Sequence, residues 1–301
     1  MSGSFAGEAA ALCTALCWTG SYIWFTVAVR INGPKWLNRW RLTVATVLLL
    51  LVHLAVFRTP LPFGAALSRW GWLALSGVVG FAISDALLFR ALFHLGPHRT
   101  SLVTALIPLF STLLAWAIFG ERLSTIQWLA ALSIIAGILI VIRGRHAEEA
   151  ESTRGKVWIG VGFALGTVLT QSLRYMFSKQ ALAGGFAPLS ANTVQILAAT
   201  LAVWIVPLLR KTWQGDGAAF RNLRASRSMI AGAIAGPFVG VTLSMIALSR
   251  AHVGVASALM ALPPVFLLPY SHYVLKERIG WQAILGTVLA VGGVACLFLF
   301  K

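Results

Sequence analysis

The chain has 301 residues, of which 58% are apolar and only 11% charged, and its mean hydropathy is +0.84. A soluble domain carries roughly 25% charged residues, so this composition argues against a soluble enzyme, a disordered chain or a disulfide scaffold and for a polytopic membrane protein. The charge is also lopsided, with 24 Lys and Arg against 8 Asp and Glu for a net +16. In a soluble protein that excess would suggest nucleic acid; here its meaning depends on where the cations fall.

A membrane-spanning helix needs about 20 mostly apolar residues. Ten such runs follow one another, at 8–30, 36–57, 71–94, 98–119, 124–142, 157–181, 187–209, 228–249, 254–275 and 280–300. No alternation of about ten residues recurs, which argues against a barrel. The fold expected is all-α, with ten transmembrane helices. Tryptophans at run ends (Trp36, Trp70, Trp72, Trp128, Trp158, Trp281) suit an interfacial belt.

No Lys or Arg precedes Arg30, so the first run lacks the basic flank of a cleaved signal and is expected to be retained. Within it, Cys13 and Cys17 lie at i, i+4, but no His or carboxylate joins them, and they read as packing residues together with Cys296. Trp18, Tyr22 and Phe25 form an i, i+4, i+7 stripe that either packs or lines a cavity for aromatic or cationic groups. Arg41 stands near the start of the second run, where interfacial and cavity-lining readings compete. His53 in the same run is read as hydrogen-bonded packing ahead of a proton relay.

The third run holds Asp85, the only acidic residue well inside a span. A charge at the bilayer centre costs roughly 2.5–3.5 kcal/mol on insertion scales, so Asp85 must face a cavity or a partner. Two readings stand: an ion pair with Arg41 or Arg174, and a proton- or substrate-linked carboxylate. Arg90, about 140° further round the helix, is not its same-face partner. In the sixth run Gln171, Arg174 and Tyr175 are cavity candidates. The planar fork of Arg174 suits a carboxylate, while helix capping or snorkelling beside Lys179 is the alternative.

Gln195 in the seventh run aligns with Arg41. The ninth run places Pro263, Pro264 and Pro269 before Tyr270 and His272. Prolines free backbone carbonyls that must face protein or a wet cavity inside a membrane, so this run and Pro108 in the fourth are expected to border the cavity. Gly232, Gly236 and Gly240, like Gly162 and Gly166, form small-residue stripes for close helix packing. The run Gly160–Gly166 has the wrong spacing for a dinucleotide fingerprint.

An internal repeat organises these spans. A shift of 156 residues aligns 71–142 with 227–298 without a gap, pairing Gly80 with Gly236, Pro108 with Pro264, Glu121-Arg122 with Glu277-Arg278 and Gly137 with Gly293. A 154-residue shift pairs Asn38 with Asn192 and Thr46 with Thr200. The chain therefore divides into a five-helix repeat at 1–142, a charged linker at 143–156 and a second five-helix repeat at 157–301. Five is odd, so the second repeat must enter the membrane inverted, an architecture that places a transporter's site near the midplane between repeats.

Gly7-Glu8-Ala9-Ala10-Ala11-Leu12 with Trp18, the segment Ser84-Asp85-Ala86-Leu87-Leu88-Phe89-Arg90-Ala91-Leu92, the run at 106–110, Phe119-Gly120-Glu121-Arg122-Leu123-Ser124 and the echo Leu275-Lys276-Glu277-Arg278-Ile279 together resemble the drug/metabolite transporter superfamily, EamA type, over essentially the whole chain. The resemblance implies a carrier of small metabolites that works by alternating access, an exporter in a bacterial inner membrane, with no cofactor. It does not name the cargo; an amino acid or similar amphipathic metabolite fits the candidate residues. Small multidrug members of the superfamily use a membrane-embedded glutamate in the first helix, but Glu8 lies at the very start of that span.

An intramembrane enzyme and a channel are the rival classes. No His-Glu-x-x-His, Gly-x-Ser-x-Gly, P-loop or paired intramembrane carboxylate is present, and the chain has no nucleotide domain for a primary pump. Outside the spans, Arg58, Arg69, Arg122, Lys179, Arg250 and Lys301 fall on the side of the termini. The larger group, at 30–41, 143–156 and 210–227, falls on the other side. The positive-inside rule then puts both termini outside, whereas the resemblance implies termini in the cytoplasm. The basic excess is read as orientation and lipid-headgroup contact, not as a nucleic-acid footprint.

Overall fold

The computed structural model describes residues 2–107, 109–111, 113–114, 125–144, 151–182, 184–213, 216–250, 259–274 and 280–299. Among these there are helices and turns but no strand. The helices are α1 (Ser2–Asn32), α2 (Pro34–Phe57), α3 (Leu67–Gly77), α4 (Ser84–Leu95), α5 (Pro97–Thr104), α6 (Thr125–Gly144), α7 (Glu151–Leu182), α8 (Pro188–Leu209), α9 (Asp216–Ala219), α10 (Leu223–Ala233), α11 (Val241–Arg250), α12 (Pro263–Tyr273) and α13 (Trp281–Leu299). The described residues of the expected spans are largely helical, with breaks at 105–106 in the fourth and 261–262 in the ninth.

Among the described residues, five helices are long and apolar enough to cross a membrane: Ala6–Asn32, Pro34–Phe57, Leu67–Leu95, Pro188–Leu209 and Leu223–Ala247. Trp128–Ile140 and Trp281–Cys296 are shorter apolar helices. Helix α7 has the length, but Gln171, Arg174 and its charged first turn dilute its apolar character. Val47, Leu51 and Leu54 on α2, Leu201 and Ile205 on α8 and Ile284 and Val288 on α13 point outward. Apolar side chains in that number on an outer surface match a lipid solvent and not water.

Two helices widen in the middle. Val78–Ile83 joins α3 to α4 as a π turn, and Ile234–Gly240 joins α10 to α11 in the same way. The 156-residue shift carries the first π turn into the second. Pro237 supplies a cause in the second copy, because it has no N–H to close a normal turn. The first copy has Phe81 there, and its wide turn is held by side chains described below.

Repeat-related residues also meet in space. Thr46 and Thr200 share a hydrogen bond of 2.7 Å between their hydroxyls, joining α2 to α8. On α6 and α13, Ser133 donates to the carbonyl of Leu289, its own counterpart, at 3.0 Å. Gly137 lies against Gly286 and Ala290, and Gly293 lies against Ala130 and Ile134, the same contact with the halves exchanged. Helix α1 packs on α10, the second π turn and α11, while α7 packs on α3, the first π turn and α4. Each half thus lends its first helix to the other half's third span, a two-fold exchange.

The glycine stripes serve this packing. Gly232, Gly236 and Gly240 face Phe25, Ser21 and Trp18 of α1, so any Cβ there would strike that helix. On α7 the close positions are Gly160, against Leu95, and Gly166, against Leu87, whereas Gly162 faces open space. Trp36 departs from the interfacial expectation: it is buried, with its ring edge-on to Phe220 at 5.3 Å. Trp72, Trp128, Trp158 and Trp281 are exposed as a belt requires.

Candidate functional site

The first π turn turns three consecutive carbonyls sideways, and three side chains meet them. Gln171 Nε2 donates to Gly80 O at 3.1 Å, Arg41 Nη2 to Phe81 O at 3.1 Å and Asn38 Nδ2 to Ala82 O at 3.0 Å. Buried backbone acceptors need such partners. In the other half Asn192, the counterpart of Asn38, donates to Pro237 O at 3.0 Å.

Directly after that turn stands Asp85, 5% exposed. Arg41 Nη2 contacts its Oδ2 at 2.5 Å, and the same nitrogen donates to Asn38 Oδ1 at 2.9 Å. Gln171 Nε2 reaches Asp85 Oδ1 at 3.3 Å, and Gln171 Oε1 accepts from Arg174 Nε at 2.5 Å. Of the two ion pairs expected for Asp85, the structure makes the one with Arg41; Arg174 connects through the Gln171 amide. Arg41 is therefore no interfacial cation but a buried one, 2% exposed, with its guanidinium over the rings of Phe25 and Phe89 at 5.7 and 4.8 Å.

Arg174 lies between the rings of Phe81 (4.8 Å) and Tyr175 (4.6 Å). It is 4% exposed and its Nη1 has no hydrogen-bond partner among the described residues. Gly80 is what admits it: a Cβ at that position would run into the Arg174 stem.

These groups surround a cavity of about 130 Å3. Of the residues singled out from sequence, Trp18, Tyr22, Arg41, Asp85, Gln171, Arg174 and Tyr175 all line it. Phe25, the third member of the α1 stripe, does too, and the Tyr22 hydroxyl is hydrogen-bonded to Thr104 at 2.9 Å. Gln195 does not line it: its Nε2 donates to Ser178 at 3.0 Å and its backbone packs on Gly77. Pro263 and Pro264 open α12 and are buried, Tyr270 is half-buried and His272 is exposed; none of the four lines this cavity. Pro108 lies outside the described residues. His53 is a packing residue, sharing hydrogen bonds with Thr59 O and the Ser190 hydroxyl. Arg90 faces outward over Phe163.

Sequence reasoning missed Asn38 as a support, Phe81 and Pro237 as walls, and the buried Asp216. Asn38 was already flagged by its repeat partner Asn192; Asp216 sat in a segment read as a polar break. Asp216 takes Arg39 Nη2 at 2.5 Å, Arg39 Nε at 3.0 Å and Trp40 Nε1 at 2.9 Å. With Arg39 and Arg41 both buried in ion pairs, two cations leave the set that would orient the chain in the bilayer. Among the described residues no cluster of His, Cys, Asp and Glu could hold a metal ion.

The two-fold exchange can be followed into the cavity. Gly80 abuts Arg174 and Gly236 abuts Ser21, while Ser76 donates to Arg174 O and Ser21 to Gly232 O. In α1 and α7 a 153-residue shift therefore carries Trp18 to Gln171, Ser21 to Arg174 and Tyr22 to Tyr175. With the other shifts, Arg41 becomes Gln195, Phe81 becomes Pro237 and Asp85 becomes Val241. Every ionisable side chain of the described lining except tyrosine falls in one lobe. The exchanged lobe is Trp18, Ser21, Pro237 and Val241, aromatic or small.

The comparisons with known proteins agree with this architecture. The EamA-like transporter family matches residues 5–143 and again 158–299. A probable terminal-alkyne amino-acid exporter of Streptantibioticus cattleyicolor is 26% identical over 93% of this chain and 89% of its own length. An uncharacterized transporter of Synechocystis sp. is 24% identical over 90% and 86%. A solved crystal structure, 18% identical, superposes with a TM-score of 0.63 over 96% of this chain and 99% of the other. Both the two-repeat construction and the match in each half lead to one statement: the chain belongs to the EamA-like transporter family and is an integral membrane protein.

Proposed function

We propose that the protein is a secondary transporter that exports a small metabolite across a bacterial inner membrane by alternating access. Its working parts are two inverted five-helix repeats, 1–142 and 157–301, joined by the linker 143–156, ten spans in all. The observation that carries this reading is the exchange of first helices, α1 and α7, each packed on the other half's third span around one cavity. A site walled by both halves changes its exposure when the halves rock, which is what alternating access requires. The name of the Streptantibioticus cattleyicolor relative supports an amino-acid-like cargo.

The cavity residues have separate tasks. Trp18, Tyr22, Tyr175 and Arg174 contact the cargo; Arg41 and Gln171 hold Asp85. Asp85 is the coupling group, exchanging its ion pair for a proton as the halves move. Gln195, Pro263, Pro264, Tyr270, His272 and Pro108 act outside the described lining, as support or at another stage of the cycle.

Counterflow of labelled amino acids in proteoliposomes tests the reading. A saturable, trans-stimulated flux is expected, with the Asp85→Asn variant retaining exchange but losing its dependence on a pH gradient. Flux that does not saturate and shows no trans-stimulation would make the protein a channel. Unchanged, gradient-driven transport in Asp85→Asn would remove Asp85 as the coupling site.

A further inference from the structure

Resting on the transporter reading for the cavity's purpose, we infer that its ligand is a small amphipathic monocarboxylate, with the carboxylate received by Arg174 and the apolar body lying in the exchanged lobe. An amino group is not needed for recognition.

Two guanidiniums, of Arg41 and Arg174, face one carboxylate, of Asp85, among the described lining residues. A buried cation without its counter-ion is costly, so the described lining is short of one negative charge. The two arginines are not equivalent receivers. Both guanidiniums lie over two aromatic rings and both keep one buried nitrogen without a partner, Arg41 its Nε and Arg174 its Nη1, but Arg41 Nη2 is already shared by Asp85, Asn38 and the Phe81 carbonyl. Among the described residues Arg174 gives only its Nε to another group, the neutral amide of Gln171, keeps a buried Nη1 without a partner and has no ion pair. A planar fork with free donors is the geometry that takes a carboxylate.

The cavity lining breaks the two-fold. The lobe that mirrors the charged one presents Trp18, Ser21, Pro237 and Val241. Ser21 spends its hydroxyl on the carbonyls of Cys17 and Gly232, so this lobe offers an apolar surface. A ligand spanning both lobes is charged at one end and apolar at the other.

A water needs roughly 10–15 Å3 of such space, so 130 Å3 takes a ligand of about ten non-hydrogen atoms. Asp85 already has its cation in Arg41, and the carbonyls of Gly80, Phe81 and Ala82 each take a side-chain donor, so Arg174 is the charge in the described lining that lacks a counter-ion.

The test is a thermal-shift titration of the purified full-length protein in detergent with 4-methylpentanoate, 4-methylpentanamide and isopentylamine. The carboxylate is expected to raise the melting temperature saturably, the amide and the amine not. Arg174→Gln is expected to weaken carboxylate binding by at least about tenfold, the loss typical of a hydrogen bond to a charged group, and Arg174→Lys to restore part of it. The unliganded melting curves of both variants report folding separately. Amide or amine binding as tight as the carboxylate, undiminished binding to Arg174→Gln, or no shift with the carboxylate at millimolar concentration would overturn the inference. Counterflow separates the two readings: binding without transport fails the transporter alone, and saturable transport of a cation or neutral cargo fails the carboxylate alone.

Discussion

Helix α2 carries two arginine–aspartate pairs two residues apart, and they are built differently. Arg39 and Arg41 project about 200° from one another round the helix, one toward the chain segment after α8 and one toward the cavity. Asp216 is fully engaged: two Arg39 nitrogens and the Trp40 indole fill its oxygens, and Phe220 packs edge-on against Trp36 and Trp40. Asp85 is held by a single guanidinium nitrogen that serves three acceptors, and by an amide at 3.3 Å. The first pair ties one repeat to the other with three donors on one carboxylate. The second lies within one repeat and is under-satisfied where a ligand can reach it. A saturated ionic network rigidifies; an unsaturated one can be rearranged.

Removing one partner from each pair separates strap from site. Asp85→Ala leaves Arg41, 2% exposed, as an uncompensated buried cation, and is expected to cost about 3–5 kcal/mol of stability, read from unfolding of the detergent-solubilised protein. Asp216→Ala is expected to cost less, about 1.5–3 kcal/mol, because the Arg39 side chain keeps 10% of its surface exposed and can reach water. Equal losses would erase the distinction. A smaller effect calibrates both. A double-mutant cycle with Thr46→Val and Thr200→Val should return a coupling of about 0.6 kcal/mol, and no more than about 1.7 kcal/mol, as for other hydrogen bonds between membrane helices. A larger coupling would make the inter-repeat axis, and not the ion pairs, the dominant polar contact.

Much of the fold was legible because hydropathy and the repeat both leave linear traces. Among the described residues five of the apolar runs became helices long enough to cross a membrane, and the pairs Asn38/Asn192, Thr46/Thr200 and Gly80/Gly236 each acquired a contact that explains the identity. Within the site, Asp85, Arg41, Gln171 and Arg174 could be singled out because polar side chains in apolar helices need a cavity or a partner. Which of the two arginines pairs with Asp85 could not be read, since α2, α4 and α7 are distant in sequence and spacing says nothing about which helices adjoin. The π turn was hidden for a related reason: Val78–Ile83 has no proline, and the groups that stabilise its wide geometry come from α2 and α7. The prolines of α12 misled, because they mark a helix start as readily as a cavity wall. Asp216 was hidden by composition, one acid among the cations of 210–227.

The hydroxyl contact between Thr46 and Thr200 has a consequence for ancestry. A residue on a two-fold axis touches its own copy, as it would if two separate, identical chains had associated. In such a homodimer every off-axis choice is made twice. An arginine at the position shared by Ser21 and Arg174 would add a cation to both lobes, and a tryptophan at the position shared by Trp18 and Gln171 would crowd both. Joining the copies in one gene releases them from that symmetry: the axis can keep its matched threonines while heredity edits each lobe alone. A cavity with one charged end and one apolar end is available to a fused chain and closed to a pair of identical ones.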